Sequence, residues 1–232
     1  EKQLLPEDHV MPEGAWKFDD SVTDVFDNML RRSIPQYDVM RKSVYDIGNR
    51  FVQRGTTILD LGCSRGDALV PFIESFGAAC FYVGVETSKP MLEVAKSRFK
   101  NFIDAKVMRI LDLDLRIDFP SVAKTSLTLS VLTLMFIPIE HRQKVVREIY
   151  KGLISGGALV VVEKILGATA EVDALFTDNY YDMKRDHGYS DVEIERKRLS
   201  LEGVLVPVPA DWNEELLRMA GFRTIDCFWR WM

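Results

Sequence analysis

Residues 58–61 are Ile58, Leu59, Asp60 and Leu61, an apolar run that breaks at once into Gly62, Cys63, Ser64, Arg65 and Gly66. A short run of this kind reads as a strand buried on both faces. Glycines directly after it let the chain turn tightly and bring its backbone close to a ligand. The same order recurs downstream: the apolar run 81–85 closes on Glu86, and the run 107–110 is followed by Asp112 and Asp114. Three successive strands ending near carboxylates constrain the fold strongly. They place acids along the carboxyl edge of one parallel sheet, where open α/β sheets bind ligands.

The rest of the chain supports that sheet. Val22, Val25, Phe26 and Met29 mark a helix face over residues 20–30, and Val39, Met40, Val44, Ile47 and Phe51 mark a second over about 36–52. Pro35 fits the first turn of that second helix. Together these helices predict a lid over residues 14–53, ahead of a cofactor-binding core at 54–163. Within the core the expected strands are 57–61, 81–85, 105–110, a stretch within 127–134, and 158–163. Helices at 67–75, 90–99 and 140–152 fall between them. This βαβα order predicts a parallel sheet with helices on both faces, a Rossmann-like α/β domain. Residues 168–206 break the rhythm with a helical stretch dense in aromatic and charged groups, which reads as a substrate-covering insertion. A helix at 211–220 and a strand-like run at 222–229 follow, the latter predicting an antiparallel final pair. Residues 1–13 read as a loose arm. The whole chain, 1–232, reads as a single domain. It starts at Glu1 rather than Met, as a trimmed product would, and ends at Met232, where the fold's last strand would still be due.

Composition narrows the function classes. The 232 residues are 47% hydrophobic, enough for one full core, and the formal charge is -5. A mildly acidic chain does not suggest a stable nucleic-acid partner. The three cysteines, Cys63, Cys80 and Cys227, form no CxxC pair and fit neither a disulfide framework nor a zinc site, so no metal is expected and a reducing, cytoplasmic setting is. No apolar run reaches the length of a membrane span, and no leader pattern is visible at the start. The turn after residue 61 lacks the glycine spacing of the dinucleotide fingerprint, and there is no phosphate-loop lysine motif, which argues against NAD or nucleotide chemistry.

The turn at 60–66, the Gly156-Gly157-Ala158-Leu159 run and the strand-end acids resemble the class I S-adenosylmethionine (SAM)-dependent methyltransferases. Longer motifs narrow the resemblance to the carboxy-S-adenosyl-L-methionine synthases. These are Trp16-Lys17-Phe18-Asp19, Phe26-Asp27-Asn28-Met29, Arg32-Ser33-Ile34-Pro35-Gln36-Tyr37, Ile149-Tyr150-Lys151-Gly152-Leu153, Glu163-Lys164, Lys184-Arg185 with Gly188-Tyr189-Ser190, Glu193-Ile194 and Lys197-Arg198. The likeness runs from Trp16 to Phe222. Enzymes of that family join SAM and prephenate to give carboxy-SAM and phenylpyruvate. The resemblance implies SAM as cofactor, with Tyr37 contacting it, Gly62, Cys63 and Ser64 holding its amino-acid part, and Asp114 and Leu115 beside its adenine. It further implies that Arg198 binds the transferred carboxylate, and that the protein is a homodimer with a small-molecule, carboxylate-bearing substrate. The chain departs from the family at Glu86-Thr87, where Asp-Asn is usual, and at Val131, where the family has a cofactor-binding asparagine. Ser130, next to it, is the nearest polar substitute.

Elementary chemistry supports these roles one at a time. Asp60 would accept from the ammonium of SAM, and Gly66 shares with Gly62 the tight turn. One Glu86 carboxylate offers acceptors to both ribose hydroxyls. Thr87 or Ser88 would cap the helix before Pro90. Cys63 has no activating base and reads as filling space. A guanidinium at Arg198 would hold a carboxylate bidentately. His187 is the candidate base, since imidazole is the side chain suited to proton transfer at neutral pH, although no carboxylate partner stands at a diagnostic spacing. Three functions are consistent with this sequence: methyl transfer from SAM to a small molecule, carboxy-SAM synthesis from SAM and prephenate, and a noncatalytic SAM-fold partner protein. The departures at Glu86-Thr87 and Val131 favour the first.

Overall fold

The computed structural model describes residues 7–122 and 124–232. Helices α1 (Asp20–Asp24), α2 (Phe26–Ser33) and α3 (Tyr37–Gly48) precede strand β1 (Thr57–Leu61). There follow α4 (Val70–Phe76), β2 (Phe81–Glu86), α5 (Lys89–Arg98), α6 (Lys100–Asp104), β3 (Met108–Asp112), β4 (Thr125–Val131), α7 (Ile139–Gly152) and β5 (Leu153–Val162). The chain then forms β6 (Ile165–Leu166), α8 (Ala170–Asp186), α9 (Asp191–Leu201), β7 (Val208–Pro209) and α10 (Ala210–Ala220). The main sheet runs β3-β2-β1-β4-β5 and is parallel throughout. Its chain order reverses between β1 and β4, and the carboxyl ends there form the crevice in which such sheets bind ligands.

Two apolar layers clamp the sheet. On one face Met40 and Val44 of α3 pack with Leu69, Phe72, Leu92 and Ala95 onto Ile58, Leu127 and Leu129. On the other, Val145, Val146 and Ile149 of α7 and Leu216 of α10 cover Leu59, Leu61, Val83 and Val85. β1 and β4 are therefore buried on both sides, β4 with Thr125, Ser126, Thr128 and Ser130 among its buried residues. Each fully buried aliphatic side chain contributes about 1.5–3 kcal/mol, so the sheet is the stable platform on which the loops stand.

The structure corrects several boundaries. The helix expected at 20–30 breaks at Val25, whose ψ of 9° leaves the helical path. β3 starts three residues later than expected, because Lys106 turns the chain with φ +59°. The parallel pair of β6 with β7 was not anticipated. Residues 222–229, expected as a strand, have no regular structure: Phe228 is exposed while Trp229 packs against the first core layer. The predicted lid divides in two. α3 belongs to a core layer, and a methyl group on Gly48 would already touch Leu127 and Phe72. The start of α3 still reaches the strand ends, since Arg41 acts on the Asp60 carboxyl, and the preceding segment is tied there through Phe18 and Ser88.

The expected loose arm falls partly outside the described residues, and its described part is anchored. Asp8 is fully buried and accepts from Lys197 Nζ at 2.6 Å and from the Tyr189 hydroxyl at 2.5 Å. Its own N–H donates to Asn28 Oδ1 at 2.9 Å. No helix among the described residues is long and apolar enough to cross a membrane.

Candidate active site

β1 delivers Asp60 to the sheet edge and the chain turns immediately. Gly62 has φ +70° and Gly66 has φ +79°, conformations that an L side chain adopts only under strain. Space is closed as well: a Cβ on Gly62 would collide with the Thr133 side chain, and one on Gly66 with the Phe99 ring. Thr133 is fixed there by donating to the Leu61 carbonyl at 2.8 Å. The turn thus presents bare backbone on one side and packs tightly on the other.

Asp60 is 1% exposed, and its Oδ2 has no hydrogen-bond partner. Burial, against the opposing pull of Arg41, pushes its carboxyl up to about 7, with Glu86 and Asp67 adding to the rise. A buried acid with an unused oxygen at a strand end is an acceptor suited to a cation. Cys63 is 4% exposed, and burial raises its thiol well above the usual range, with Asp60 and Glu86 adding to the effect. A Cβ on Gly84 of β2 would come within 2.8 Å of its Sγ. Cys63 therefore packs the space beside the turn.

Glu86 closes the turn from the neighbouring strand. Its Oε2 accepts from Ser64 N–H at 2.9 Å, and Oε1 from Thr87 N–H at 2.7 Å and Ser88 N–H at 2.9 Å. Ser64 holds φ +49° and so aims that N–H across the gap. Of the two cap candidates, Ser88 is the cap: its Oγ accepts from Met91 N–H at 3.4 Å and donates to the Phe18 carbonyl at 2.5 Å, tying the lid to the sheet edge. Glu86 pairs in register with Asp112, which binds Lys89. Asp114 accepts from Arg116 Nε at 2.9 Å and from Arg116 N–H at 2.9 Å. The Arg116 hydrogen bonds outweigh desolvation and hold its carboxyl below the usual range. Leu115 turns inward and is 8% exposed, in the α7 layer.

Register separates the two β4 candidates. Asp60 pairs with Leu129, so Val131, two residues on, projects to the same face as Asp60. Ser130 projects to the opposite face, paired with Val161, and its Oγ is buried without a partner. The polar substitute expected for the asparagine position is therefore turned away from Asp60.

Tyr37 opens α3 after Gln36, whose φ of +48° makes the bend. It is 8% exposed, lies between the guanidinium groups of Arg31 (5.7 Å) and Arg41 (5.9 Å), and burial raises its phenol. The remaining two candidates stand on the helical segment that follows β5. His187 is an exposed residue at the end of α8, with Nδ1 3.0 Å from the Arg32 carbonyl. Arg198 is exposed on α9 and bound to Glu195 by bonds of 2.8 and 2.7 Å. Its neighbour Lys197 takes the inward position, because Ile194 and Ser200 set the buried face of that helix. Both are exposed in this chain, and each is engaged by a protein group, the Arg32 carbonyl for His187 and Glu195 for Arg198.

Other residues at this edge carried weaker sequence signals. Glu163, just past β5, accepts from Leu134 N–H at 3.0 Å, and burial raises it to about 8 against the pull of Arg142. Arg142 is 1% exposed and donates to the carbonyls of Ile137 (2.8 Å), Met135 (3.3 Å) and Val206 (2.7 Å). Together they fix the loop that carries Thr133. Over it sit Phe136, Phe18 and Trp16 in successive edge contacts at 5.4 and 6.1 Å. A cavity of about 700 Å³ opens on the flank, lined by Asp27, Arg65, Asp67, Glu93, Ser97 and Arg98. Its charges are largely paired to one another, as Arg65 is to Asp27 at 2.9 Å.

A family model described as a methyltransferase domain matches residues 58–157, the segment containing the turn, Glu86 and Asp114. The chain is 37% identical to a carboxy-S-adenosyl-L-methionine synthase of Methylococcus capsulatus, over 92% of this chain and 88% of that one. It is 34% identical to the synthase of Desulforapulum autotrophicum, over 95% and 89%. By sequence, the chain belongs with the carboxy-SAM synthases of the class I SAM-dependent methyltransferase superfamily. Solved structures bear out the methyltransferase fold. An O-methyltransferase family protein from Burkholderia thailandensis superposes with a TM-score of 0.62 at 17% identity, covering 90% of this chain and 57% of that one. The cyclopropane synthase MmaA2 from Mycobacterium tuberculosis gives 0.58 at 17% identity, covering 84% and 65%. The chain thus spans less than two thirds of either structure's length. The edge of the matched segment carries the unpartnered Asp60 oxygen, a turn with no room for Cβ at Gly62 and Gly66, and Glu86 closing the next strand.

Proposed function

We propose that the protein transfers the methyl group of SAM to a small, carboxylate-bearing molecule. The observation that carries this reading is the unused, buried oxygen of Asp60 beside the glycine turn. Asp60 would receive the ammonium of the amino-acid moiety, with the bare backbone at Gly62, Cys63 and Ser64 alongside. Glu86 already accepts three N–H bonds, and a carboxylate has about four acceptor positions, so it would take the ribose hydroxyls by sharing or exchanging these. Asp114 would meet the adenine amino group and Leu115 cover a base face. Bound SAM supplies an electrophilic methyl group on a sulfonium.

The chain's own part is positioning and exclusion of water. Phe18 packs on Phe136 and is tied by its carbonyl to Ser88 at the strand ends, which supports a covered site. Calorimetry with SAM and its demethylated product tests the cofactor. Methyl-labelled SAM incubated with a small-molecule extract tests transfer, and absence of binding by folded protein would reject the reading. A second reading, carboxy-SAM synthesis with prephenate, is favoured by the near-full-length likeness to the synthases. Mass spectrometry of a SAM and prephenate incubation separates the two: a product heavier than SAM by a carboxylate selects the synthase.

A further inference from the structure

α3 carries an unengaged cation toward the strand-end acid. Asp60 pairs with Leu129 across β1 and β4, and α3 packs Met40 and Val44 onto that same face of the sheet. Arg41 follows Tyr37 by four residues, so the two share one side of the helix. The Arg41 guanidinium is half-buried and stands 5.9 Å from the Tyr37 ring. Among the described residues it makes no hydrogen bond and no ion pair. Its neighbours at this edge are engaged: Arg31 binds Asp38, Arg65 binds Asp27 at 2.9 Å, and Arg98 binds Asp67. In the roof formed by α8 and α9, Lys197 likewise answers Asp8. Arg41 also borders a cavity of about 350 Å³ beside the turn, with Asp67, Ala68 and Arg98, so a ligand can reach it from outside.

Arg41 and Asp60 attract each other without bonding. After burial, the Arg41 guanidinium is the strongest influence on the Asp60 carboxyl, ahead of Glu86 and Asp67, and it alone opposes the rise. It is also the leading charge on the Tyr37 phenol. Yet Asp60 Oδ2 accepts from nothing, and the guanidinium donates to nothing among the described residues. Direct pairing would satisfy both, since a guanidinium and a carboxylate can bind each other bidentately. Held apart, they offer an acceptor for a cation and a fork of donors for an anion. A ligand with both charges on one carbon, an α-amino acid group, answers the two together. Val131, on the face of Asp60, adds no polar group that competes.

We propose that Arg41 holds the α-carboxylate of the cofactor's amino-acid part while Asp60 holds its ammonium. The pair then sets cofactor specificity, because a cofactor lacking either charge leaves one of the two groups unanswered. The proposal deepens the transferase reading and rests on it for the identity of the cofactor.

The test is calorimetric titration of the full chain with three probes: SAM, decarboxylated SAM and methylthioadenosine. The first two share the sulfonium and the ammonium and differ in the α-carboxylate. The parent should bind SAM about tenfold or more tighter than decarboxylated SAM. Arg41→Gln should remove most of that preference, weakening SAM while leaving decarboxylated SAM within about twofold. Arg41→Lys should restore part of the loss, because it keeps the charge without the planar fork. Lys42→Gln, one residue on, should change neither affinity. Arg41→Gln should melt close to the parent, since the guanidinium bonds no described group. Equal binding of SAM and decarboxylated SAM by the parent, parental SAM affinity in Arg41→Gln, or an equal loss of both ligands in that variant would overturn the assignment, the last marking a purely structural role. If the folded parent binds none of the three probes, the transferase reading itself fails; if it binds SAM and the variant does so equally well, the Arg41 assignment alone fails.

Discussion

The Glu86 carboxylate holds the Ser64 N–H at 2.9 Å, so the end of β2 closes the turn that follows β1. Two strands share one acid, and the cofactor edge is braced before any ligand arrives. Replacing Glu86 by Ala would leave the Ser64, Thr87 and Ser88 N–H groups without this acceptor. The expected cost is about 1–3 kcal/mol in stability, read as a lower denaturation midpoint, with a concurrent loss of SAM affinity. Glu86→Asp should keep the charge yet fail to span the gap, lowering affinity less than Ala does. An Ala variant with parental SAM affinity would remove Glu86 from the site.

Asp60 should separate binding from folding. Asp60→Asn keeps the shape and removes a charge that burial already disfavours, so stability should change by less than about 1 kcal/mol. SAM affinity should fall about tenfold to a hundredfold, the range for losing a charge-assisted hydrogen bond. Denaturant melts and calorimetry on the same variant check both halves.

The pH dependence follows from the same residue. Asp60 is raised to about 7 and Glu163 to about 8 in the folded chain. A carboxyl whose folded pKa is raised stabilises the fold below its unfolded pKa, and this contribution is lost as pH rises through the folded value. Stability of the ligand-free protein should therefore drift down between about pH 4 and 8 from these two groups, and Asp60→Asn with Glu163→Gln should flatten that slope. SAM affinity should run the other way. It should fall below pH 7, by up to about tenfold per unit, as Asp60 takes up a proton. A flat affinity profile would remove the ammonium from Asp60.

Gly62→Ala should lose SAM binding through two independent effects, a strained φ and a clash with Thr133. The left-handed conformation alone costs an alanine about 1–2 kcal/mol. Pairing the change with Thr133→Ser should leave most of the defect, because Oγ1 and Cβ of Thr133 remain among the clashing atoms. Thermal shift with and without SAM reads both effects.

The buried ion pair predicts a different pattern. Asp8→Ala would strand the Lys197 ammonium inside the roof, at a cost of about 3–5 kcal/mol. Asp8→Asn combined with Lys197→Met should cost much less than the sum of its parts. Acid should act in the same direction as Asp8→Ala. Desolvation alone would raise Asp8, but hydrogen bonds from Lys197 and Tyr189 outweigh it and hold the carboxyl low, so this support is lost only as pH falls through that depressed value. A double-mutant cycle in denaturant measures the coupling.

The sheet was legible because β1 and β2 are short, mostly apolar runs, and Asp60, Glu86 and Asp114 end strands or follow them closely. The turn was legible because Gly62 and Gly66 have few other uses at that spacing. Side-chain facing was less so. Lys197 and Arg198 are adjacent cations, and Ile194 packing inward decides which one is buried. Ser130 and Val131 posed the same problem, settled by register with β1 and β5. The arm at residues 7–13 looked loose because its partners, Tyr189 and Lys197, lie far along the chain. The irregular end after residue 221 misled because an aromatic run such as Phe228-Trp229 has strand propensity wherever it lies.

Asp8 and Lys197 are 189 residues apart, and their contact closes the longest loop joined by a side-chain hydrogen bond among the described residues. Contacts of such high sequence separation carry the heaviest loop-closure cost, so they form after the local pairs of the sheet. The roof is therefore expected to assemble after the central strands and to open before the β1–β4 platform does. Amide exchange should divide the molecule accordingly, with a fast class in the arm, α8 and α9 and a slow one in the central strands. Substrate entry by transient release of Asp8 from Lys197 would make turnover sensitive to changes in that buried pair, even though neither residue need touch a reacting atom.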